Sequence, residues 1–233
     1  MTTPVVLIHG WASSNAIWRP LSNLIEGREA ICLSLPGYGE SEDGKWCDPI
    51  EFVAQSLPSK CHLVGWSLGG NVAMAIAQRY PEKIASVATI ATVPNFVANE
   101  AWPWAMPQKD FAAFFEGMNE NPAITLKRFS ALQSRGDKVM KQVAKVLKAQ
   151  PCQAKNGVLI ESLQWLGQTQ QRVFWQKPTA NHLAIFAEYD ALVPVDAAQH
   201  VSNAKVINDA GHAVLLSKAA EVHSELEALW QTQ

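Results

Sequence analysis

A serine flanked by glycines at Gly-x-Ser-x-Gly spacing, an aspartate further along, and a histidine after a glycine near the end of the chain are the residue types of nucleophilic acyl transfer, in the order nucleophile, acid, base. They are Ser67 in Leu63-Val64-Gly65-Trp66-Ser67-Leu68-Gly69-Gly70, Asp190 in Glu188-Tyr189-Asp190, and His212 in Asp209-Ala210-Gly211-His212. In such a set the histidine takes the serine proton, the aspartate holds the imidazole tautomer, and backbone N–H groups stabilise the oxyanion. The residues before Ser67 read as a buried strand and those after it as a helix over 68–80, with Leu68, Val72, Ala75 and Ile76 on one face and Pro81 as its stop. Gly65 and Gly69 permit the sharp turn between them, and the helix start directs its unpaired N–H groups at the serine.

The elements that must position these residues are strands. Val5-Val6-Leu7-Ile8 is a continuous apolar run, as in a strand covered on both faces, and it ends in His9-Gly10-Trp11. The glycine there lets the N–H of Trp11 turn towards the nucleophile as a second oxyanion donor, beside that of Leu68. Further strands are expected over 30–35, 61–66, 84–91, 182–187 and 204–208, with a turn-rich loop from Leu35 to Ser41. If the strands are parallel with helical crossovers, their following loops share one sheet edge, and Ser67, Asp190 and His212 converge there. Asp196 and Asp209 are rival acids. Asp196 lies past the strand end at an apparent helix start, and Asp209 is so close to His212 in sequence that reaching its far nitrogen would be strained.

Between about 95 and 175 the strand pattern gives way to amphipathic helices: 108–118, 122–134 with Asn121 as cap and Pro122 in first position, 138–149 capped by Asp137, and 157–167. The expected architecture is therefore α/β: a mostly parallel sheet with helices on both faces, formed by 1–94 and 176–233, and a helical cap, 95–175, over its carboxyl end. The cap is also unusually basic. Residues 121–150 hold Lys127, Arg128, Arg135, Lys138, Lys141, Lys145 and Lys148 against Asp137 alone, in a chain of net charge −2. At 100° per residue Lys138, Lys141, Lys145 and Lys148 form one outward stripe, opposite Val139, Val143, Val146 and Leu147.

Hydrophobic content of 48% and charged content of 17% suit a buried parallel sheet and apolar clefts, in one domain with an insertion, more than a disordered or nucleic-acid-binding chain. Cys32, Cys47, Cys61, Cys152 and the histidines show no metal-ligand spacing, and no Gly-rich phosphate loop occurs, so neither metal nor cofactor is expected. With no apolar run of membrane-spanning length and no cleavable leader ahead of the first strand, a monomer in the cytoplasm is expected.

With these residues placed, the chain resembles the α/β-hydrolase superfamily through His9-Gly10-Trp11, Pro36-Gly37-Tyr38-Gly39, Gly65-Trp66-Ser67-Leu68-Gly69-Gly70, Asp190-Ala191-Leu192-Val193-Pro194 and Gly211-His212. More narrowly it is similar to the biotin-synthesis esterases that demethylate pimeloyl-carrier-protein methyl ester, through the same His-Gly-Trp and Gly-Trp-Ser-Leu-Gly-Gly, Glu100-Ala101-Trp102-Pro103, and Arg128-Phe129-Ser130-Ala131-Leu132-Gln133. That resemblance implies ester-carbonyl binding by Trp11 and Leu68, an acyl channel lined by Phe129, Ser130, Ala131, Leu132 and Gln133, and docking of an acyl carrier protein on Arg128, Lys141 and Lys145. The sequence departs from the family at Ser34, where an aspartate is usual, and starts about one strand later. A general short-chain carboxylesterase or thioesterase without a carrier partner would use the same triad. A hydrolase fold retired into a binding protein would be expected to have lost Ser67 or His212.

Overall fold

The computed structural model describes residues 2–39 and 44–231. The chain runs β1 (Val5–Ile8), a 3₁₀ turn (Asn15–Trp18) into α1 (Arg19–Ser22), β2 (Ala30–Leu33), α2 (Pro49–Ala54), β3 (Cys61–Trp66), α3 (Leu68–Arg79) and β4 (Ile84–Ile90). Five helices follow before the next strand: α4 (Gln108–Glu120), α5 (Pro122–Ser134), α6 (Met140–Ala149), α7 (Asn156–Gln168) and α8 (Arg172–Gln176). The chain closes with β5 (Asn181–Ala187), β6 (Ala204–Ile207), α9 (Val214–Ser217) and α10 (Ala219–Gln231).

The strands form one sheet in the order β2-β1-β3-β4-β5-β6, and each neighbouring pair is parallel. From β1 the chain steps to one side to make β2, then returns across β1 and builds every later strand on the other side. The direction of winding thus reverses between β1 and β3, and a crevice opens at their carboxyl ends, where open α/β sheets bind ligands. Alternate residues of the strands feed two cores. Val6, Ile8 and Leu63 pack with Val72 and Ile76 of α3, while Val5, Leu7, Val64 and Trp66 pack with Trp18, Val222 and Leu226 on the opposite face. Burial on both faces explains why these strands read as unbroken apolar runs.

Several boundaries differ from expectation. β2 stops at Leu33, because its ladder with β1 ends where Ile8 pairs with Leu33, and beyond it the Leu35 N–H donates to His9 Nε2 at 3.2 Å. α6 begins at Met140 rather than 138. Asp137 does not cap it: Oδ1 accepts the Val139 N–H at 2.9 Å in the turn ahead of the helix, whose own N-cap, Val139, makes no side-chain cap bond. Val139 is exposed rather than packed, while Val143 on the same helix is buried among the residues of the second core. Lys138, Lys141, Lys145 and Lys148 are all exposed. α8 packs through Phe174 and Trp175 against His182 of β5. Ser34 Oγ accepts a hydrogen bond from Asn15 Nδ2 at 3.0 Å, which anchors the loop despite the missing aspartate. Glu40 and Ser41 lie outside the described residues.

Two contacts fasten α7 to the sheet: Trp11 Nε1 donates to the Leu159 carbonyl at 2.8 Å, and the Tyr38 hydroxyl lies 2.8 Å from Ser162 Oγ. Among the described residues, the non-glycine positions with left-handed φ are Ala12 (52°), Ser67 (54°), Ala91 (47°) and Asp209 (58°). Each lies in the turn leaving the carboxyl end of a strand: β1, β3, β4 and β6 respectively.

Candidate active site

Ser67 stands between β3 and α3 at φ 54° and ψ −123°, a conformation that costs a residue with a side chain about 1–3 kcal/mol. Its surroundings impose that backbone. The Ser67 N–H donates to the Ile90 carbonyl of β4 at 2.9 Å, and the turn is pressed against its neighbours. A Cβ on Gly65 would come within 2.2 Å of the Gly69 carbonyl oxygen, and one on Gly69 within 2.1 Å of the Ile8 carbonyl oxygen of β1. Strand, helix and adjacent strand therefore approach more closely than any side chain allows, and the serine is held at the crevice.

His212 meets it from the turn after β6. Nε2 lies 3.1 Å from Ser67 Oγ, and Nδ1 lies 2.8 Å from Asp190 Oδ2. Asp190 Oδ1 accepts the N–H groups of Leu192 at 2.8 Å and Val193 at 3.0 Å, which fixes the carboxylate and leaves Oδ2 for the imidazole. The carboxylate can only accept, so Nδ1 carries the hydrogen and Nε2 presents a lone pair to the serine hydroxyl. Both side chains are shut off from solvent. The rival acids lie elsewhere: Asp196 is exposed in the turn Val195–His200, and the Asp209 carboxylate lies 3.4 Å from Lys138 Nζ.

Leu68 is the first residue of α3, so its N–H is among those a helix leaves without an internal partner. The loop after β1 touches the serine. A Cβ on Gly10 would lie 3.1 Å from the Ser67 Cβ, and Trp11 is the next residue of that loop. His9 braces the loop: Nδ1–H donates to the Gly10 carbonyl at 2.9 Å and Nε2 accepts from Leu35. Burial pushes the imidazole down to about 4, so it is neutral near pH 7.

Four further contacts hold the site together without a signal in the sequence. Trp66 Nε1 donates to the His212 carbonyl at 2.9 Å, and Thr92 Oγ1 donates to the Ser67 carbonyl at 3.1 Å. From the cap, the Gln133 carbonyl accepts the Ala213 N–H at 3.0 Å, and Asp137 Oδ2 accepts the Gly211 N–H at 3.2 Å. A tryptophan beside the nucleophile was visible; its partner 146 residues away was not.

The space directly beside Ser67 amounts to about 10 Å³, framed by Trp11, Phe114, Phe129, Leu163 and Leu192, and holds at most about one water molecule. Phe129 closes it, edge-on to Trp11 with ring centres 4.8 Å apart and stacked on Phe114 at 5.6 Å. Beyond Phe129 lie two larger cavities. One of about 340 Å³ is lined by Met106, Asp110, Phe114, Leu132 and Asp190. The other, of about 640 Å³, is lined by Lys127, Ser130, Ala131, Gln133, Leu147 and Lys148. Phe129 borders all three spaces. The run 129–133 borders both cavities, Leu132 facing the first and Ser130, Ala131 and Gln133 the second, because consecutive residues of α5 fan round the helix at 100° each. Arg128, Lys141 and Lys145 are exposed on α5 and α6. Among the described residues no cluster of three or more His, Cys, Asp or Glu could hold a metal ion, and no helix is long and apolar enough to cross a membrane.

The α/β-hydrolase fold family matches residues 3–219. The chain belongs to that family. This α/β hydrolase is 32% identical to the pimeloyl-[acyl-carrier protein] methyl ester esterase of Citrobacter koseri, over 97% of its own length and 93% of that protein's. It is 34% identical to the biotin biosynthesis bifunctional protein of Teredinibacter turnerae, over 98% of its own length but 45% of that protein's. It thus spans just under half the length of the bifunctional relatives it matches. Among solved structures, a bromoperoxidase from Bacillus anthracis superposes with a TM-score of 0.85 at 20% identity, covering 99% of this hydrolase and 92% of that chain, a likeness of fold.

Proposed function

We propose that the protein is a serine carboxylesterase that hydrolyses the methyl ester of pimeloyl-acyl carrier protein in biotin synthesis. The observation that carries the hydrolytic reading is the continuous hydrogen-bonded line from Asp190 through His212 to Ser67 at the crevice between β1 and β3. The substrate is supported by the likeness to esterases whose printed names specify it.

In this reading His212 Nε2 takes the Ser67 proton as Oγ attacks the ester carbonyl, and Asp190 stabilises the imidazolium that forms. The oxyanion is held by the N–H groups of Trp11 and Leu68, each such donor contributing roughly 3 kcal/mol to barrier lowering. The imidazolium returns its proton to the departing methoxide, methanol leaves, and water activated by the same histidine frees the carboxylate from Ser67. Phe129 and Leu132 form apolar wall for the acyl chain. The exposed Arg128, Lys141 and Lys145 dock the acidic carrier. Cys32, Cys61 and Cys152 are unbridged thiols, which fits the reducing cytoplasm in which we place the reaction.

The test is turnover of pimeloyl-carrier-protein methyl ester, with growth rescue of a biotin auxotroph lacking its esterase. Wild type should release methanol and restore growth, and Ser67→Ala should lower turnover at least about a thousandfold while remaining folded. Ready hydrolysis of p-nitrophenyl acetate without rescue would turn the reading to a general esterase. Retained turnover by Ser67→Ala would overturn the triad.

A further inference from the structure

The cap grips the His212 turn from both sides. Immediately before the histidine, the Gly211 N–H donates to Asp137 Oδ2 at 3.2 Å; immediately after it, the Ala213 N–H donates to the Gln133 carbonyl at 3.0 Å. The same Asp137 oxygen accepts the hydroxyl of Ser217, the last residue of α9, at 2.5 Å, and Oδ1 holds the Val139 N–H at 2.9 Å. A Cβ on Gly211 would meet the Arg135 carbonyl oxygen at 2.6 Å, so the segment between α5 and α6 lies flush against the turn. Val143 of α6 continues the contact among the residues that also bury Ala213, Val214 and Leu215. Asp137 is itself buried and belongs to neither the acid nor the base of the site.

A buried carboxylate that collects three donors is a costly group to keep unless its placement matters, and here one oxygen takes both Gly211, next to His212, and Ser217 at the far end of α9, tying down the stretch that carries the histidine. The imidazole must keep Nδ1 on Asp190 and Nε2 on Ser67 at once, which leaves little freedom to the backbone carrying it. We propose that Asp137, acting with the Gln133 carbonyl, is a positioning residue for His212, so that the base of a site on the sheet edge is aligned by the cap. This rests on the reading of Ser67, His212 and Asp190 as a hydrolytic set.

Two variants and one spectroscopic signal test it. Asp137→Ala should lower kcat for p-nitrophenyl acetate by about tenfold or more, with KM within about twofold of wild type, since misplacing the base harms the chemical step rather than binding. Asp137→Asn keeps one carbonyl acceptor for donors that had two oxygens, so its kcat should fall between those of Asp137→Ala and wild type. In both variants the low-field proton resonance of His212 Nδ1–H should shift or broaden, most in Asp137→Ala. If Asp137→Ala does not fold, Asp137→Asn decides: wild-type kcat with an unchanged resonance overturns the proposal. A fall in kcat that matches only the loss of folded protein, measured by circular dichroism, overturns it also. Ser67→Ala run alongside separates the two readings, because residual turnover there removes the hydrolytic reading, whereas the resonance reports His212 placement without any turnover.

Discussion

Trp66 Nε1 and the His212 carbonyl oxygen lie 2.9 Å apart, so the residue before the nucleophile holds the backbone of the base. The two rings also lie against each other, with centres 5.4 Å apart. Trp66→Phe keeps apolar ring volume and leaves a buried carbonyl without its donor, which costs about 1–3 kcal/mol. The expected outcome is a melting temperature lower by several degrees and a reduced kcat with unchanged KM. Wild-type kcat would separate this bond from alignment of the base.

Phe129 divides the interior beside Ser67, and truncating it joins spaces that are now distinct. Phe129→Ala removes a buried ring and should cost about 3–5 kcal/mol of stability. KM for p-nitrophenyl hexanoate should rise more than KM for the acetate, because each methylene that loses its apolar wall forfeits roughly 0.8 kcal/mol. An equal rise for both esters would assign Phe129 to cap packing alone.

Lys141 and Lys145 lie exposed on α6 with no acidic partner among the described residues. Reversing both to glutamate should reduce kcat/KM for the carrier-linked ester by about tenfold or more at low salt, and the wild-type rate should fall as salt screens the encounter. Hydrolysis of p-nitrophenyl acetate should respond to neither change. A parallel loss on both substrates would point to damage in the cap.

His9, His62 and His182 are each held down to about 4, chiefly by burial. The unfolded chain protonates these histidines near 6.5, so between about pH 6.5 and 4 it binds more protons than the native protein, and stability falls as pH falls through that window. Urea midpoints measured from pH 7 to 4.5 should decline, and His182→Gln should flatten the decline. A midpoint constant across that range would contradict the burial of neutral imidazoles.

What the sequence disclosed followed from short-range rules. The turn at Ser67 is written in adjacent glycines, and α5 in Asn121 and Pro122, whose cap bond to the Ile124 N–H is present at 3.2 Å. What it concealed depends on register and on distant backbone partners. Leu35 is as apolar as Leu33, and only pairing with β1 ends β2 at the latter. Asp137 looked like a helix cap because its nearest N–H groups are local, yet its second oxygen serves Gly211, 74 residues away. The family motif at 129–133 named residues without showing that a helix would turn them towards different cavities.

The left-handed residues Ala12, Ser67, Ala91 and Asp209 all sit on one rim of the sheet, and no other described non-glycine residue shares that conformation. Glycine adopts such backbone with less penalty, by about 1 kcal/mol at each alanine position. Ala12→Gly and Ala91→Gly are thus natural candidates in a search for thermal robustness, yet these substitutions would soften the loop carrying Trp11 and the strand end that receives the Ser67 N–H. A screen that ranks variants by melting temperature alone would therefore favour these two substitutions while registering nothing of the loops they loosen beside Ser67.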